Sequence, residues 1–142
     1  MSILSWRIVF FGTPSFALPS LETLTRGSDE VVAVVTQPDR EKGRGRKVIA
    51  SPVKEFALQK GLPILQPEKA KEVSFHEKLK CSGADLFVVA AYGQILSKPL
   101  LSLPKYGSMN VHASLLPKYR GAAPISWAIL NGEKKTSITT MR

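Results

Sequence analysis

Residues 86–91 read LFVVAA and residues 31–35 read VVAVV, two uninterrupted apolar runs. Runs this short, without alternating polar positions, are typical of strands that are covered on both faces. Such strands occur in the parallel sheets of α/β proteins, where helices pack on both sides. The two runs therefore predict the central strands of a parallel sheet.

Outward from these runs, the chain alternates between strand-like and helix-like segments. Apolar residues at helical spacing predict helices within residues 17–24, 53–57 and 125–129. Ser51 before Pro52 is typical of a helix start, as is Pro124. This alternation predicts an α/β fold with a doubly wound, mostly parallel sheet. The predicted strands are Arg7–Phe11, Val31–Thr36, Pro63–Leu65, Leu86–Ala91, Ser108–His112 and Thr136–Met141.

The composition indicates one globular domain with an excess of positive charge. Of the 142 residues, 44% are hydrophobic and 22% are charged, as in folded proteins. The 20 Lys and Arg residues exceed the 11 Asp and Glu residues, which gives a net charge of +9. Residues 86–132 contain no Asp or Glu that would repel an anion. We therefore expect an anionic partner: a nucleic acid, a phosphorylated metabolite or a carboxylated cofactor.

Cysteine content and hydropathy exclude several classes of protein. The single cysteine, Cys81, excludes an internal disulfide framework and a cysteine-based zinc site, and we expect no metal. The sequence has no apolar run approaching the roughly 20 residues that span a bilayer. These observations predict a cytoplasmic protein that does not interact with a membrane.

Two polar residues on one predicted strand form a candidate catalytic pair. Asn110 and His112 are two positions apart, so their side chains share one face near the strand end. An amide N–H can stabilise a developing oxyanion, and an imidazole can move a proton near neutral pH. The alternative is an Asn in a turn and a His with a structural role, because this spacing also arises by chance.

A basic segment follows the second predicted strand. We expect residues 37–47 to form a polar loop, and five of its residues between positions 40 and 47 are Lys or Arg. Such side chains neutralise phosphates, which favours sequence-independent contact with a nucleic acid; a solvated surface is the alternative. After the first strand, by contrast, the G-x-G-x-x-G fingerprint is reduced to Gly12. A nicotinamide or flavin dehydrogenase is therefore not expected.

Five segments of the chain resemble a known family. Residues 110–124, NVHASLLPKYRGAAP, resemble the central motif of the folate-dependent formyltransferases. Four further segments are similar, in the same order, to the members of that family that act on methionyl-tRNA. They are FGTPSFA at 11–17, TQPDR at 36–40, GRGR at 43–46 and SPVK at 51–54. The resemblance spans the chain and implies the Rossmann-like formyltransferase fold.

The resemblance implies a one-carbon transferase of translation initiation. It would move a formyl group from the co-substrate 10-formyltetrahydrofolate to the methionyl amino group of initiator Met-tRNA, acting as a monomer. Asn110 matches the residue that hydrogen-bonds the formyl oxygen, and His112 matches the residue that handles protons. Folate contacts are implied for Ser114, Leu115, Leu116 and Pro117, and tRNA contacts for Arg40, Lys42, Arg44, Arg46 and Lys47.

The resemblance also implies parts that lie outside these 142 residues. The family's third catalytic residue is an Asp in a segment that would follow Arg142, and its carboxy-terminal β-barrel domain is absent from the sequence. Gly is usual at the position of Ala113. We therefore expect residues 1–142 to be an amino-terminal catalytic domain, incomplete at its carboxy end and poorly active alone. The alternatives are a non-catalytic protein that binds folate or tRNA, and a formyltransferase acting on another amine.

Overall fold

The computed structural model describes residues 4–142, which form a six-stranded sheet with helices on both faces and a separate two-stranded hairpin. The strands are β1 (Arg7–Gly12), β2 (Glu30–Val35), β3 (Arg40–Lys42), β4 (Lys47–Ile49), β5 (Ile64–Leu65), β6 (Leu86–Ala90), β7 (Ser108–His112) and β8 (Thr139–Met141). The helices are α1 (Leu18–Arg26), α2 (Pro52–Gln59), α3 (Val73–Cys81), α4 (Lys98–Leu101) and α5 (Pro124–Leu130). None of these helices, all within residues 4–142, is long and apolar enough to cross a membrane.

The order of the strands confirms the doubly wound, mostly parallel sheet. The order is β5-β2-β1-β6-β7-β8, and the pairs from β5 to β7 are parallel. Strand β8 runs antiparallel to β7. The chain first adds strands on one side of β1 and then returns to place β6 on the other side. The direction of winding therefore reverses between β1 and β6.

Strand β1 is buried on both faces, as a central strand of a parallel sheet must be. On one face, Phe10 packs in a cluster with Leu21 of α1 and Val53 of α2. On the other face, Phe11 packs with Phe75 of α3, and their rings lie 6.4 Å apart edge to face. Burying a Phe side chain contributes about 2–3 kcal/mol to folding, so these two layers hold the helices against the sheet.

Two helices begin where the sequence predicts. The Oγ of Ser51 accepts a hydrogen bond from the backbone N–H of Lys54 at 3.1 Å, and Pro52 opens α2. Pro124 likewise opens α5. The cap at Ser51 satisfies an amide that has no partner within the helix, and a proline in the first turn loses no hydrogen bond there.

The polar segment 37–47 is not the continuous loop that we expect from its sequence. Residues 40–49, here called the basic hairpin, form strands β3 and β4, which pair antiparallel from Arg40–Ile49 to Lys42–Lys47. Every residue of the basic hairpin is exposed. Because neither strand has a buried face, the hydrophobic pattern that reveals other strands is absent here.

Three predicted strands are longer than the observed ones, and β5 begins at Ile64 instead of Pro63. Strand β8 begins at Thr139 instead of Thr136, because its pairing with β7 extends only from His112–Thr139 to Asn110–Met141. Strand β6 ends at Ala90, and Ala91 has a φ of +53°. This left-handed conformation, which is uncommon for a residue other than glycine, turns the chain out of the sheet.

Candidate active site

A cleft of about 1130 Å³ opens at the carboxyl edge of the sheet, beside the point where the winding reverses. Residues 13–16 after β1 and residues 91–96 after β6 line it. The loops after these strands leave toward opposite faces of the sheet, which separates them and creates a crevice. The end of β7 and residues 121–126 complete the wall. Ligands of open α/β sheets bind in such a crevice.

The structure brings Asn110 and His112 together in this cleft. Both lie on β7, two positions apart, and both line the cavity. Asn110 is half-buried, and its side-chain amide makes no hydrogen bond to another group within residues 4–142. The His112 side chain is buried. The amide of Asn110 is therefore available to a ligand, and the largely buried ring of His112 borders the same cavity.

One hydrogen bond defines which nitrogen of His112 carries the proton. The Nε2 atom lies 2.9 Å from the backbone carbonyl oxygen of Tyr119. A carbonyl oxygen can only accept, so Nε2 must be protonated and must donate. In the neutral ring Nδ1 is then the acceptor, and Nδ1 has no hydrogen-bond partner within the described residues. His112 is thus arranged to accept a proton at Nδ1.

Glu133 holds the segment that contacts His112. The phenol of Tyr119 donates a hydrogen bond to Oε1 of Glu133 at 2.7 Å, and the ammonium of Lys118 bonds the same oxygen. The hydrogen bonds from Lys118 and Tyr119 lower the pKa of Glu133, and the bond to Glu133 raises the pKa of Lys118. Near neutral pH the carboxylate is therefore charged and can anchor both neighbours. Neither Glu133 nor Tyr119 was identified as a functional residue from the sequence.

The predicted folate residues 114–117 do not line this cleft. Ser114 is buried; its Oγ donates to the carbonyl oxygen of Lys118 at 2.6 Å, and its own carbonyl accepts from Thr139 Oγ1 at 2.6 Å. The N–H of Leu116 donates to Thr139 Oγ1 at 3.2 Å, and Pro117 follows through a cis peptide bond. Leu115 is exposed beside a second cavity of about 190 Å³. These residues shape the turn after β7, and their contact with folate stays a prediction.

Several cleft residues were missed by the sequence analysis. Apolar surface comes from Phe16, Ile95 and Met109, and within residues 4–142 no Asp or Glu lines the cavity. Gln37 also lines it, and Gly93 lies against this side chain. Gly93 has a φ of +98°, and a Cβ there would lie 2.9 Å from Nε2 of Gln37. The available signal was position, because all of these residues except Met109 follow strands at the carboxyl edge.

The turn after β1 serves packing and hydrogen bonding. A Cβ at Gly12 would lie 2.8 Å from the Cβ of Ala17 and 2.9 Å from the carbonyl oxygen of Ala90, so only glycine fits between strand and helix. The Oγ1 of Thr13 donates to the carbonyl oxygen of Tyr92 at 2.8 Å and accepts from the N–H of Gln37 at 3.2 Å. This threonine therefore links the loops that follow β1, β2 and β6.

The predicted tRNA residues lie apart from the catalytic pair, on the basic hairpin. They are exposed, and within the described part of the chain none of them forms an ion pair. The hairpin does not line the cleft, but Gln37, three residues before it, does. Residues 4–142 contain no group of three or more His, Cys, Asp or Glu side chains that could hold a metal ion. The predicted tRNA residues are Arg40, Lys42, Arg44, Arg46 and Lys47.

Solved structures share this fold at low sequence identity. Glycinamide ribonucleotide transformylase 1 from Geobacillus kaustophilus superposes with a TM-score of 0.71 at 24% identity, over 96% of this chain and 73% of its own. Phosphoribosylglycinamide formyltransferase from Bacillus halodurans gives a TM-score of 0.70 at 21% identity, over 94% of this chain and 70% of its own. These similarities confirm the Rossmann-like formyltransferase fold.

Curated relatives are more similar in sequence and considerably longer. Methionyl-tRNA formyltransferase from Caldanaerobacter subterraneus is 62% identical over 136 residues, which are 95% of this chain and 44% of that protein. The enzyme of the same name from Acetivibrio thermocellus is 60% identical over 135 residues, or 95% of this chain and 43% of that protein. This chain thus spans less than half the length of these relatives. A family model described as formyl transferase matches residues 6–142, and the chain therefore belongs to the formyl transferase family.

Proposed function

We propose that this chain forms the formyl-transfer site of an enzyme that carries a formyl group from 10-formyltetrahydrofolate to the methionyl amino group of initiator Met-tRNA. The observation that carries the proposal is the Asn110–His112 pair in the cleft at the carboxyl edge of the sheet. The names of the two relatives support this acceptor. The protein would act in translation initiation, in the cytoplasm and as a monomer.

The cleft suits the folate co-substrate in size and polarity. At about 1130 Å³ this cleft is slightly larger than the usual ligand pocket of about 300–1,000 Å³, so it has room for a folate. Phe16, Ile95 and Met109 offer apolar surface to a bicyclic ring, and the amides of Gln37 and Asn110 can bond its polar edge. The carboxylate-free lining of the described residues suits the anionic tail of the folate. These properties support a folate site in this cleft.

Asn110 and His112 would act on the formyl oxygen and on the amine proton. The folate supplies the formyl carbon, whose bond to the folate nitrogen breaks as its bond to the methionyl nitrogen forms. The Nδ2–H of Asn110 donates to the formyl oxygen as negative charge develops there. The Nδ1 of His112 accepts the proton that the amine loses and can return it to the departing nitrogen.

The basic hairpin supports tRNA as the bearer of the amine. Its five basic side chains are exposed, and within the described residues they form no ion pairs, so they can replace the counterions of a phosphate backbone. The hairpin begins three residues after Gln37, which lines the cleft. A nucleic acid bound by the hairpin would therefore lie beside the cavity that holds Asn110 and His112.

A second candidate function, ligand binding without efficient turnover, is favoured by one observation. The lining of the cleft within residues 4–142 contains no carboxylate, whereas the family resemblance implies a catalytic Asp after Arg142. The relatives extend to more than twice the matched length. We propose that sequence corresponding to the unmatched part of these relatives supplies the carboxylate. Residues 1–142 would then act as an amino-terminal catalytic domain.

Formylation assays on two proteins distinguish these functions. One is the 142-residue chain; the other, called the chimera, joins this chain to the part of the Caldanaerobacter subterraneus relative that follows its matched segment. We expect the chimera to formylate initiator Met-tRNA, to leave glycinamide ribonucleotide unformylated, and to be much faster than the chain alone. Transfer by the chimera to the small amine alone would indicate another acceptor. Folate binding without transfer by either protein would indicate a binding function.

A further inference from the structure

The base of the basic hairpin is fixed by a half-buried ion pair. Asp39 lies between β2 and β3, and its Oδ2 accepts a hydrogen bond from Nζ of Lys54 at 2.5 Å. The two side chains are 23% and 19% exposed, which makes this the most enclosed of the ion pairs among residues 4–142. The residues of the hairpin itself are all exposed. Its orientation therefore depends on contacts at its base.

Two structural elements hold Asp39 at the same time. Lys54 lies in the first turn of α2, which Ser51 caps, so the ammonium projects from a fixed helix end. Gln66, just after β5, donates from Nε2 to Oδ1 of Asp39 at 2.9 Å. The hydrogen bonds from Lys54 and Gln66 lower the pKa of Asp39 and keep the carboxylate charged. The first residue before the hairpin is thus bonded to a helix and to the sheet.

The same hydrogen bonds continue into the wall of the cleft. The Nε2 of Gln66 also bonds the carbonyl oxygen of Gln37 at 3.1 Å. The Oε1 of Gln37 accepts from Nε2 of Gln94 at 2.8 Å, and Gln94 is fixed in turn by the N–H of Ala70 at 2.8 Å. Gln37 and Gln94 both line the cleft. The hairpin base and the cavity wall therefore belong to one connected network.

We propose that Asp39, Lys54 and Gln66 are positioning residues that lock the basic hairpin against the cleft wall. A nucleic acid bound by the hairpin is then presented to Asn110 and His112 in a fixed orientation. This inference depends on the proposed function, because it deepens the role of the hairpin in tRNA binding. A hairpin free to pivot about Asp39 must be ordered when tRNA binds, and that ordering reduces affinity.

Hairpin orientation can be measured without tRNA. Cys81 is an exposed cysteine on α3, and Val48 is an exposed hairpin residue that carries no charge. Spin labels at Cys81 and at Val48→Cys report the distance between hairpin and core by double electron–electron resonance. In the 142-residue chain we expect a narrow distribution that Lys54→Met broadens at least about twofold, because the hydrogen bond to charged Asp39 is among the stronger kinds.

Matched variants assign the effect to this ion pair. Lys60→Met removes the same charge just after the same helix, where Lys60 is exposed, and should leave the distribution narrow. The conservative variant Lys54→Arg keeps a cation that can donate to Asp39 and should keep the distribution narrow. Circular dichroism and thermal melting of each variant establish that it is folded. A distribution that stays narrow in folded Lys54→Met, or that Lys54→Arg broadens as much as Lys54→Met does, overturns the inference.

Binding of initiator tRNA to the chimera tests the consequence for function. We expect Lys54→Met to weaken tRNA binding about tenfold, Lys60→Met to leave it unchanged, and folate binding to be unaffected by either. Lys54→Arg should keep the affinity of the unaltered chimera. Loss of affinity in Arg44→Ala/Arg46→Ala but not in Lys54→Met overturns the inference and leaves the proposed function standing. Full affinity in Arg44→Ala/Arg46→Ala overturns the role of the hairpin in tRNA binding, whatever the distance distributions show.

Discussion

The Nε2 atom of His112 lies 2.9 Å from the carbonyl oxygen of Tyr119. This contact sets the tautomer of the ring through a backbone group, and the phenol of Tyr119 is itself bound to Glu133. Tyr119 also has a φ of +55°, a conformation that non-glycine residues seldom adopt. Strained residues are frequent where a protein holds a functional group in place. The orientation of His112 therefore depends on how firmly the hydrogen bond between Tyr119 and Glu133 is held.

Replacing Tyr119 by Phe should loosen this support and leave the catalytic pair present. The variant loses the hydrogen bond to Glu133, a contact worth about 1.5–3 kcal/mol when one partner is charged. We expect the chimera to lose about tenfold in kcat for Met-tRNA, with KM for folate nearly unchanged. Tyr106→Phe, on an exposed ring stacked against Trp6, is the matched control. A wild-type kcat in Tyr119→Phe would show that this support is not needed.

Replacing Asn110 by Ala should reduce catalysis more than binding. Its amide would donate to an oxygen whose charge develops during the reaction, and loss of such a donor costs about 10²–10³ in kcat. We therefore expect kcat to fall in the chimera while the Kd for folate changes little. Asn131→Ala, an exposed amide after α5, should have no such effect. If only folate binding weakens, Asn110 is a binding residue.

Removing two hairpin cations should change the salt dependence of tRNA binding. Each lost phosphate contact flattens the slope of log affinity against log salt by roughly 0.7–0.9, so Arg44→Ala/Arg46→Ala should reduce it by up to about two units. Lys71→Ala/Lys78→Ala removes the same charge from exposed positions elsewhere. The measurement is the Kd of the chimera for tRNA across salt. If the plots of log affinity against log salt coincide for the unaltered chimera and both double variants, the hairpin does not touch tRNA.

Tyr92 should limit stability, especially at alkaline pH. Its hydroxyl is buried with no hydrogen-bond partner within residues 4–142, and burial raises its pKa to about 12. The folded state therefore prefers the neutral phenol, and stability falls as pH rises from the unfolded pKa, about 10, through the folded value. Tyr92→Phe removes the unpaired hydroxyl and should raise the free energy of unfolding by about 1 kcal/mol at neutral pH. Urea unfolding at pH 7 and pH 11 measures both effects.

In that experiment the free energy of unfolding of Tyr92→Phe should exceed that of the unaltered protein by more at pH 11 than at pH 7. A loss of stability at both values would indicate that the hydroxyl has a partner that stabilises the fold.

Continuous apolar runs make the sheet predictable from sequence. Residues 86–90 form β6 and residues 31–35 lie in β2, because a strand covered on both faces cannot tolerate polar side chains. Ser51 predicted the start of α2 for an equally local reason, since the side chain and the amide it caps are three residues apart. Local interactions of this kind can be predicted from the sequence before any long-range contact is known.

The network around Asp39 could not be predicted in this way. Gln37, Gln66 and Gln94 are 24 to 57 residues from their partners in the network, and only the order of the strands brings them together. Exposed β3 and β4 carry no hydrophobic pattern, so their hairpin was expected as a loop. The Tyr119–Glu133 contact likewise depends on the course of the chain after β7. These features result from topology, which residue spacing does not encode.

Single-turnover formylation of initiator Met-tRNA by the chimera, with His112→Ala beside the unaltered protein, tests the central claim most directly. If Nδ1 of His112 moves the proton of the amine, the variant should slow transfer by about 10²–10⁴ while folding and tRNA binding are retained. His76→Ala, on α3, controls for loss of a histidine. Transfer by His112→Ala at the unaltered rate would contradict the assignment of this cleft as the formyl-transfer site.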